Sequence, residues 1–337
     1  MPLRLVSLFS GCGGGDLGFH GGFIYNHKRY KKLPFDCVYA SDIDKDALRT
    51  FQQNIPVVEV SVGDISETPA KEIPDCEILI GGFPCQSFST VNPTKDPFDQ
   101  RGNLYKEMAR IIKEKQPLVF VAENVKGLFT LHHGQIFKSV CNAFQSCGYT
   151  LSYKLMKAVD YGIPQRRERI IIVGVRNDIA DNQPFEFPQP TVKTPVPLKV
   201  CIDELAIPQQ KYYFSKKAVM GMKNAKPNMK RGLYQDLEQP CLTITSHLSK
   251  TSLNSRDPVL LVDPENELYR RFTPREAARI QSFPDTFVLP SREKLAYHQI
   301  GNAIPPVLFW HVANAVKEYL KQRLLNHPEI IPQDIVE

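Results

Sequence analysis

Three separate stretches carry side chains that could act together on one bound molecule. Cys85 lies in "EILIGGFPCQSFST", residues 77 to 90, directly behind Pro84 where an apolar run has just ended. A thiolate is a strong nucleophile where its surroundings lower the thiol pKa, and an inert packing group where they do not. Glu123 closes another apolar run, "LVFVAENV", where a carboxyl could hold or pass a proton. "QRRERI" then alternates Gln165, Arg167 and Arg169 into a third run, supplying guanidinium groups that could grip a carbonyl oxygen. Taken singly, these are a packing thiol, a solvated strand-end carboxylate and sheet-edge charges. Gathered at one crevice, they are a nucleophile, an acid and a cationic anchor.

The elements that must gather them are legible in the first 180 residues. Short β-rich apolar runs alternate with helical periodicity, which predicts an α/β fold with a mostly parallel sheet covered by helices. "LRLVSLF", "CVYASD", "VVEVSVGD", "EILIGG", "LVFVAENV", "YTLSYKLM" and "RIIIVGV" read as seven strands. Open α/β sheets keep ligands at the carboxyl edge of their strands, and that edge collects Ser10, Asp42, Asp64, Cys85 and Glu123. After Val175 the texture changes to a proline-rich connector, "DNQPFEFPQPTVKTPVPLK". Weak periodicity follows to about residue 265, and clear helices return in "TPREAARIQSF" and "PPVLFWHVANAVKEYLKQRLL".

Bulk properties narrow the class. The chain has 337 residues, enough for one large core and a second small one, and a net charge of +6 that leans toward a polyanionic partner. Its eight cysteines form no C-x-x-C pair and no zinc-like spacing with histidine, so we read free thiols in a reducing compartment and no metal site. No apolar run reaches the length of a membrane span, so a soluble, intracellular protein is expected.

A glycine-rich turn, "FSGCGGGDLGF", follows the first strand. A dinucleotide fingerprint would place a third glycine at position 16, where this chain has Asp16, which weakens a nicotinamide-binding reading. Asp42 ends the second strand, where a carboxylate can accept from ribose hydroxyls, and Asp64 ends the third, where one could accept from an adenine amine. Alone, each is a helix cap; in order behind the glycine turn they suggest an adenosine-bearing cofactor that need not carry a pyrophosphate.

The ordered set "FSGCGGG", "GGFPCQSFS", "ENV", "QRRERI", "REAARIQSFPD" and "QIGNAIPP" resembles the DNA cytosine-5 methyltransferase family, over nearly the whole chain apart from residues about 180 to 262. The chain looks most like the compact prokaryotic or phage modification enzymes. The resemblance implies a Rossmann-like, class I S-adenosylmethionine-dependent fold with a seven-stranded, mostly parallel sheet, helices on both faces and a small irregular recognition domain. Residues 1–180 and 266–337 would form the catalytic domain and 181–265 the target-recognition domain.

It also implies a reaction. Cys85 attacks C6 of a cytosine flipped out of duplex DNA, Glu123 holds N3 and the exocyclic amine, and Arg169 with Arg167 steadies the O2 side. Residues about 86 to 103, starting with Gln86 and Ser87, would form a lid reaching the DNA. For S-adenosylmethionine, with S-adenosylhomocysteine as product, the resemblance assigns Phe9 to the adenine, Gly11, Gly13 and Gly14 to the turn under the methionine part, and Asp42 to the ribose. Asp64 and Ile65 take the adenine, Pro84 and Leu104 form walls, and Asn302 and Ala303 close the far side. Many relatives carry Glu at the position of Asp42 and an aromatic at that of Ile43, so altered cofactor affinity is expected.

Within residues about 185 to 265, "QQKYYFSKKAVMGMKNAKPNMKRG" holds seven basic residues and no acidic one. Lys216, Lys217 and Arg231 are candidates for phosphate contacts. "PCLTITSHLSKTSLNSR" offers Thr243, Thr245, Ser246 and Arg256 for contacts to the groove, Thr243 resembling a family threonine. Expected partners are double-stranded DNA with a short recognition site and a cognate restriction endonuclease, and the protein is expected to act as a monomer in the prokaryotic cytoplasm, at the nucleoid. The rivals are a transfer-RNA methyltransferase of the same family, whose Cys-Phe-Thr tripeptide is absent from the recognition region, a catalytically silent DNA-binding relative, and a nicotinamide oxidoreductase.

Overall fold

A computed structural model describes residues 2–84, 104–130, 134–181, 183–203, 209–224, 234–250 and 258–330. The chain starts in the middle of its sheet with β1 (Leu3–Leu8), turns into α1 (Gly14–His20), makes a hairpin of β2 (Phe23–Tyr25) and β3 (Lys28–Tyr30), and pairs β4 (Phe35–Asp42) alongside β1. Helix α2 (Lys45–Asn54), capped by the Asp44 side chain on the amides of Asp46 and Ala47, leads to β5 (Val57–Val62) at one edge. The chain then crosses to the other side of β1 with β6 (Ile78–Gly81), α3 (Leu104–Lys115), β7 (Val119–Val125), α4 (Gly127–Thr130) and α5 (Gln135–Gln145). Strands β8 (Tyr149–Lys157) and β9 (Glu168–Arg176) finish the sheet, whose order is β5-β4-β1-β6-β7-β9-β8.

All seven expected strands are present. Only β9 runs against its neighbours, antiparallel to both β7 and β8. The reversal of strand order between β1 and β6 opens a crevice at their carboxyl ends, where such sheets take ligands.

Alternation along the central strands separates two cores. Ile78, Ile80, Val119, Val121, Ile171 and Val173 face the layer of α1, α2 and the carboxyl-terminal helices; Leu79, Phe120, Ala122, Ile170 and Ile172 face α3 and α5. Period-two side chains on strands covered on both faces force this continuous apolar composition.

After α6 (Asn177–Ala180) the proline-rich connector buries Phe185 and Leu198 in the first core, and Cys201, Cys241, Ile244 and Leu248 from beyond it are buried there too. A small separate core of Val219, Val259 and Tyr269 joins α7 (Lys216–Lys223) to the β10 (Leu260–Asp263) and β11 (Leu268–Arg270) ribbon. Helix α8 (Pro274–Ile280) begins with a Thr273/Glu276 capping box, and Glu276 also takes both ends of the buried Arg270 guanidinium at 2.7 Å. Helices α9 (Glu293–Asn302) and α10 (Pro306–Leu324) return to the sheet. The hairpin β2–β3 and helix α9 were not expected, because each is too short or too weakly periodic to stand out locally. The seven described cysteines are free, and among the described residues no helix is long and apolar enough to cross a membrane.

Candidate functional site

A cavity of about 860 Å³ opens at the crevice, and its wall runs from Phe9 and the glycine turn past Asp42, Asp64, Leu104 and Pro84 to Glu123 and Arg169. Phe9 adopts φ 55, strained for an aromatic residue, and carries the chain from β1 into the turn. Gly13, at φ 89, caps α1, and a side chain on Gly14 would place its Cβ 2.3 Å from the Ile304 carbonyl oxygen. At Gly11, φ 54, a Cβ would meet nothing within 4 Å. The turn is therefore closed beneath Gly14 and open above Gly11, the shape of a cradle for a ligand.

The carboxylates at this end are oriented by amides. Asp42 accepts from Gly11 N and Asp44 N, both at 2.8 Å; burial raises its pKa, and the Asp44 and Gly11 amides oppose the rise. Asp64 takes the amide and hydroxyl of Ser66 on Oδ1, which hold its pKa below the usual carboxylate value. Ile65 is buried beside it, while Ile43 is 71% exposed at the rim. From the opposite wall come Asn302, Ala303 and His298, whose Nε2 lies 3.3 Å from Asn302 Nδ2 and whose Nδ1 lies 4.0 Å from Asp44. Under the turn, Asp16 is buried, and loss of water pushes its pKa up to about 7 despite a hydrogen bond with Ser7.

At the other end Glu123 and Arg169 pair at 2.8 Å, their side chains 11% and 13% exposed. The antiparallel register sets Arg169 opposite Val125, so its side chain lies diagonal to Glu123 on one face of the sheet. Arg169 Nη1 also donates to the Glu168 carbonyl at 2.8 Å, and burial lowers the Arg169 pKa while Glu123 raises it. A Cβ on Gly82 would lie 3.3 Å from Glu123 Oε2, and Asn124 Nδ2 donates to the Phe83 carbonyl at 2.8 Å. These contacts bring the end of β6, through Pro84, against the carboxyl of β7. Cys85, Gln86, Ser87 and the expected lid over 86 to 103 lie outside the described residues, as do Arg231 and Arg256.

The "QRRERI" side chains divide. Arg167 is buried at the cavity wall, and its Nη groups donate to the carbonyls of Ile244, Gly301 and Ala303 at 3.1–3.3 Å. Gln165 accepts from Ile244 N at 3.1 Å and donates to Gln281 Oε1 at 2.6 Å. Both therefore tie β9 to later segments, and only Arg169 pairs with the carboxyl. In the recognition region, Lys216 and Lys217 are exposed at the start of α7. Thr243 Oγ1 donates to the Arg166 carbonyl at 2.9 Å, Thr245 Oγ1 accepts from His247 N at 3.1 Å, and the Ser246 backbone packs onto Gly301.

Sequence reasoning missed Asn124 and His298. The signal for Asn124 was its place behind Glu123 in "ENV"; that for His298 was helical spacing, since it lies one turn before Asn302.

Comparison with known proteins places this geometry among relatives. A family described as C-5 cytosine-specific DNA methylase matches residues 3–318. The type II methyltransferase M1.ScrFI of Lactococcus lactis subsp. cremoris is 35% identical over 325 residues, spanning 95% of this chain and 79% of its own. M.NlaX of Neisseria lactamica, also a type II methyltransferase, is 35% identical across 95% of this chain and 97% of its own. Among solved structures, a DNA modification methyltransferase encoded within an Escherichia coli prophage shares the fold at TM-score 0.73 and 24% identity, covering 95% of this chain and 99% of its own. The Dnmt2 methyltransferase of S. pombe shares it at TM-score 0.71 and 19% identity, covering 94% and 99%.

Proposed function

The chain belongs to the C-5 cytosine-specific DNA methylase family, and from that premise we propose how its own residues divide the work. The protein is a DNA (cytosine-5-)-methyltransferase. The observation that carries the assignment is that the Glu123–Arg169 pair shares one cavity with the glycine turn, Asp42 and Asp64, with Pro84 on the same wall.

The methyl donor of this reading is S-adenosylmethionine, and the residues present fit it. The space above Gly11 admits a ligand against the backbone, Asp42 and Asp64 offer acceptors to ribose and adenine, and Phe9, Ile65 and Leu104 supply apolar walls, with Asn302 and Ala303 closing the far side. When bound, it supplies a methyl group on a cationic sulfur, an electrophile.

Cytosine C5 is too weak a nucleophile to take that methyl unaided. We assign Cys85 to add through its thiolate to C6, which makes C5 enamine-like. Glu123 gives a proton to N3 as the thiolate adds; Arg169 holds Oε1 of the carboxyl, leaving Oε2 for the N3 edge, and extends its remaining donors to O2. Loss of the C5 proton to solvent water, return of the N3 proton to Glu123 and departure of Cys85 as its thiolate release the methylated base and restore the starting groups. Arg167 supports the wall through its three carbonyls.

Residues 181–265 are assigned to target recognition in duplex DNA, with Lys216, Lys217 and Arg231 for phosphates and Thr245, Ser246 and Arg256 for the groove. Thr243 positions this segment through its bond to the Arg166 carbonyl. This reading makes the protein the modification half of a restriction-modification pair, working as a monomer on cytoplasmic DNA. Bisulfite sequencing of DNA from a methylation-free host expressing the chain, beside Cys85→Ser, tests it. Cytosines protected in one short motif, and unprotected in the control, are expected. Protection that persists in the control would remove Cys85 from the chemistry, and no protection at all would move the substrate to RNA.

A further inference from the structure

The hairpin between α1 and β4 carries a cluster of charge that the methylation site does not use. Lys28, Arg29, Lys31 and Lys32 are all exposed around its two-residue turn, Asn26-His27. Four cations in five positions compare with a net charge of +6 for the whole chain. Among the described residues, the one carboxylate within ion-pair reach of them is Asp36, 4.0 Å from Lys32. Elsewhere, Arg4, Arg176, Lys199 and Arg279 each lie within 3.2 Å of a carboxylate, while the exposed Lys216 and Lys217 form no ion pair among the described residues; four exposed cations within five positions set the hairpin apart.

The cluster is held rigidly. Asn26 and His27 sit at φ 45 and 60, as a tight two-residue hairpin requires. Phe23 stacks on Tyr30 at 5.0 Å, Tyr30 meets Trp310 edge-on at 5.2 Å, and Trp310 Nε1 donates to the Lys31 carbonyl at 2.8 Å. Gly21, φ 66, lets the returning strand pass, since a Cβ there would lie 2.1 Å from the Lys31 carbonyl oxygen. The backbone bearing the cations is thus fixed on α10 before any partner arrives, which lowers the ordering entropy of binding.

Its position is opposite the cavity. The Leu3 amide donates to the Pro34 carbonyl and Leu3 pairs with Phe35, so the hairpin lies by the amino ends of β1 and β4, whereas the cavity is lined from their carboxyl ends. A six-residue strand spans roughly 20 Å, so the hairpin stands about one strand length from the cavity edge of the sheet.

We propose that this hairpin is a second DNA-binding surface, which holds the phosphates of a duplex segment outside the recognition site. Four exposed cations beside one exposed apolar side chain, Ile24, which pairs with Arg29, match a rod of uniform negative charge and read no sequence. The surface would keep the enzyme on long DNA between sites while the cavity engages one base at a time. It rests on DNA being the substrate, which the short-duplex arm below tests separately.

The experiment compares the wild-type chain with the Lys28→Ala/Arg29→Ala/Lys31→Ala/Lys32→Ala variant on a duplex just long enough for the recognition site and on one of several hundred base pairs. On the long duplex, the slope of log binding constant against log salt should flatten by as much as about 3.6, at about 0.9 per phosphate contact. Successive methylation of two sites on one molecule should fall with it. Binding and methylation of the short duplex should stay unchanged. An equal slope on long DNA overturns the proposal, as does an equal loss on both duplexes, which would place the hairpin inside the primary footprint. A wild type that does not methylate the short duplex would instead break the functional assignment.

Discussion

Asp42 ends β4, Glu123 lies two residues before the end of β7, and both line the same cavity, yet they are held in opposite ways. Asp42 takes two backbone amides, from Gly11 and from Asp44 two residues on. Glu123 takes a guanidinium from an antiparallel strand that returns to the sheet much later in the chain. Amides are fixed by the turn that presents them, so the cofactor end depends on backbone shape. A buried ion pair reverses that: the backbone is ordinary strand, and everything hangs on two side chains. The cofactor end is therefore a geometric site and the base end an electrostatic one.

The largest effect that could break this contrast is at the base end. Glu123→Gln should slow methylation at least about 100-fold, because it removes the proton donor. It should also destabilise the fold by about 3 kcal/mol, because Arg169 stays buried without a carboxylate. Single-turnover rates and a denaturant titration check both, and a variant that methylates normally would end the assignment.

At the cofactor end two adjacent glycines should separate shape from space. Gly14→Ala forces a methyl against the Ile304 carbonyl and should cost about 2 kcal/mol of stability as well as cofactor affinity. Gly11→Ala meets open space, so it should cost only about 1 kcal/mol for its left-handed backbone while weakening cofactor binding on the order of tenfold. Calorimetric titration beside thermal melts distinguishes the two, and equal melts would show that the turn is not closed beneath Gly14.

Asp16 sharpens the comparison through pH. Its folded pKa of about 7 lies above the ordinary 3.8, so the folded chain binds the proton more tightly than the unfolded chain. The stability this lends is complete below about pH 4 and is lost as pH rises to about 7, by a few kcal/mol. Asp16→Asn should flatten that fall in urea titrations between pH 4 and 8; an unchanged slope would place the titration elsewhere. The smallest effect belongs to Lys126→Ala, which frees Glu168 from a half-exposed pair at 2.8 Å and should change stability by less than about 1 kcal/mol.

Much of this was legible beforehand because it was local. Alternating and continuous apolar runs marked the seven strands, and the residue that ends each parallel strand falls at the carboxyl edge by definition. Asp42, Asp64 and Glu123 could thus be placed on one edge without knowing strand order. The roles within "QRRERI" were not legible: three alternating polar side chains look alike, and only the arrival of Ile244, Gly301 and Ala303 commits Arg167 to carbonyls while Arg169 turns to Glu123. The recognition region was expected as a lobe of its own, and the proline-rich texture was a fair sign of a connector. Among its described residues, Phe185, Leu198, Cys201, Cys241, Ile244, Leu248 and Leu260 are buried in the main core, while Val219 and Val259 join Tyr269 in a small separate one.

The sequence by itself determined the elements, the carboxyl-edge chemistry and the family, since each depends on neighbours within a few residues or on motifs in order. The tertiary structure decided which charges pair, that β9 inverts to deliver Arg169, that Gly11 opens onto the cavity while Gly14 is shut, and that a basic hairpin stands at the far pole. Those outcomes depend on atoms distant along the chain meeting at a few ångströms, which no local pattern encodes.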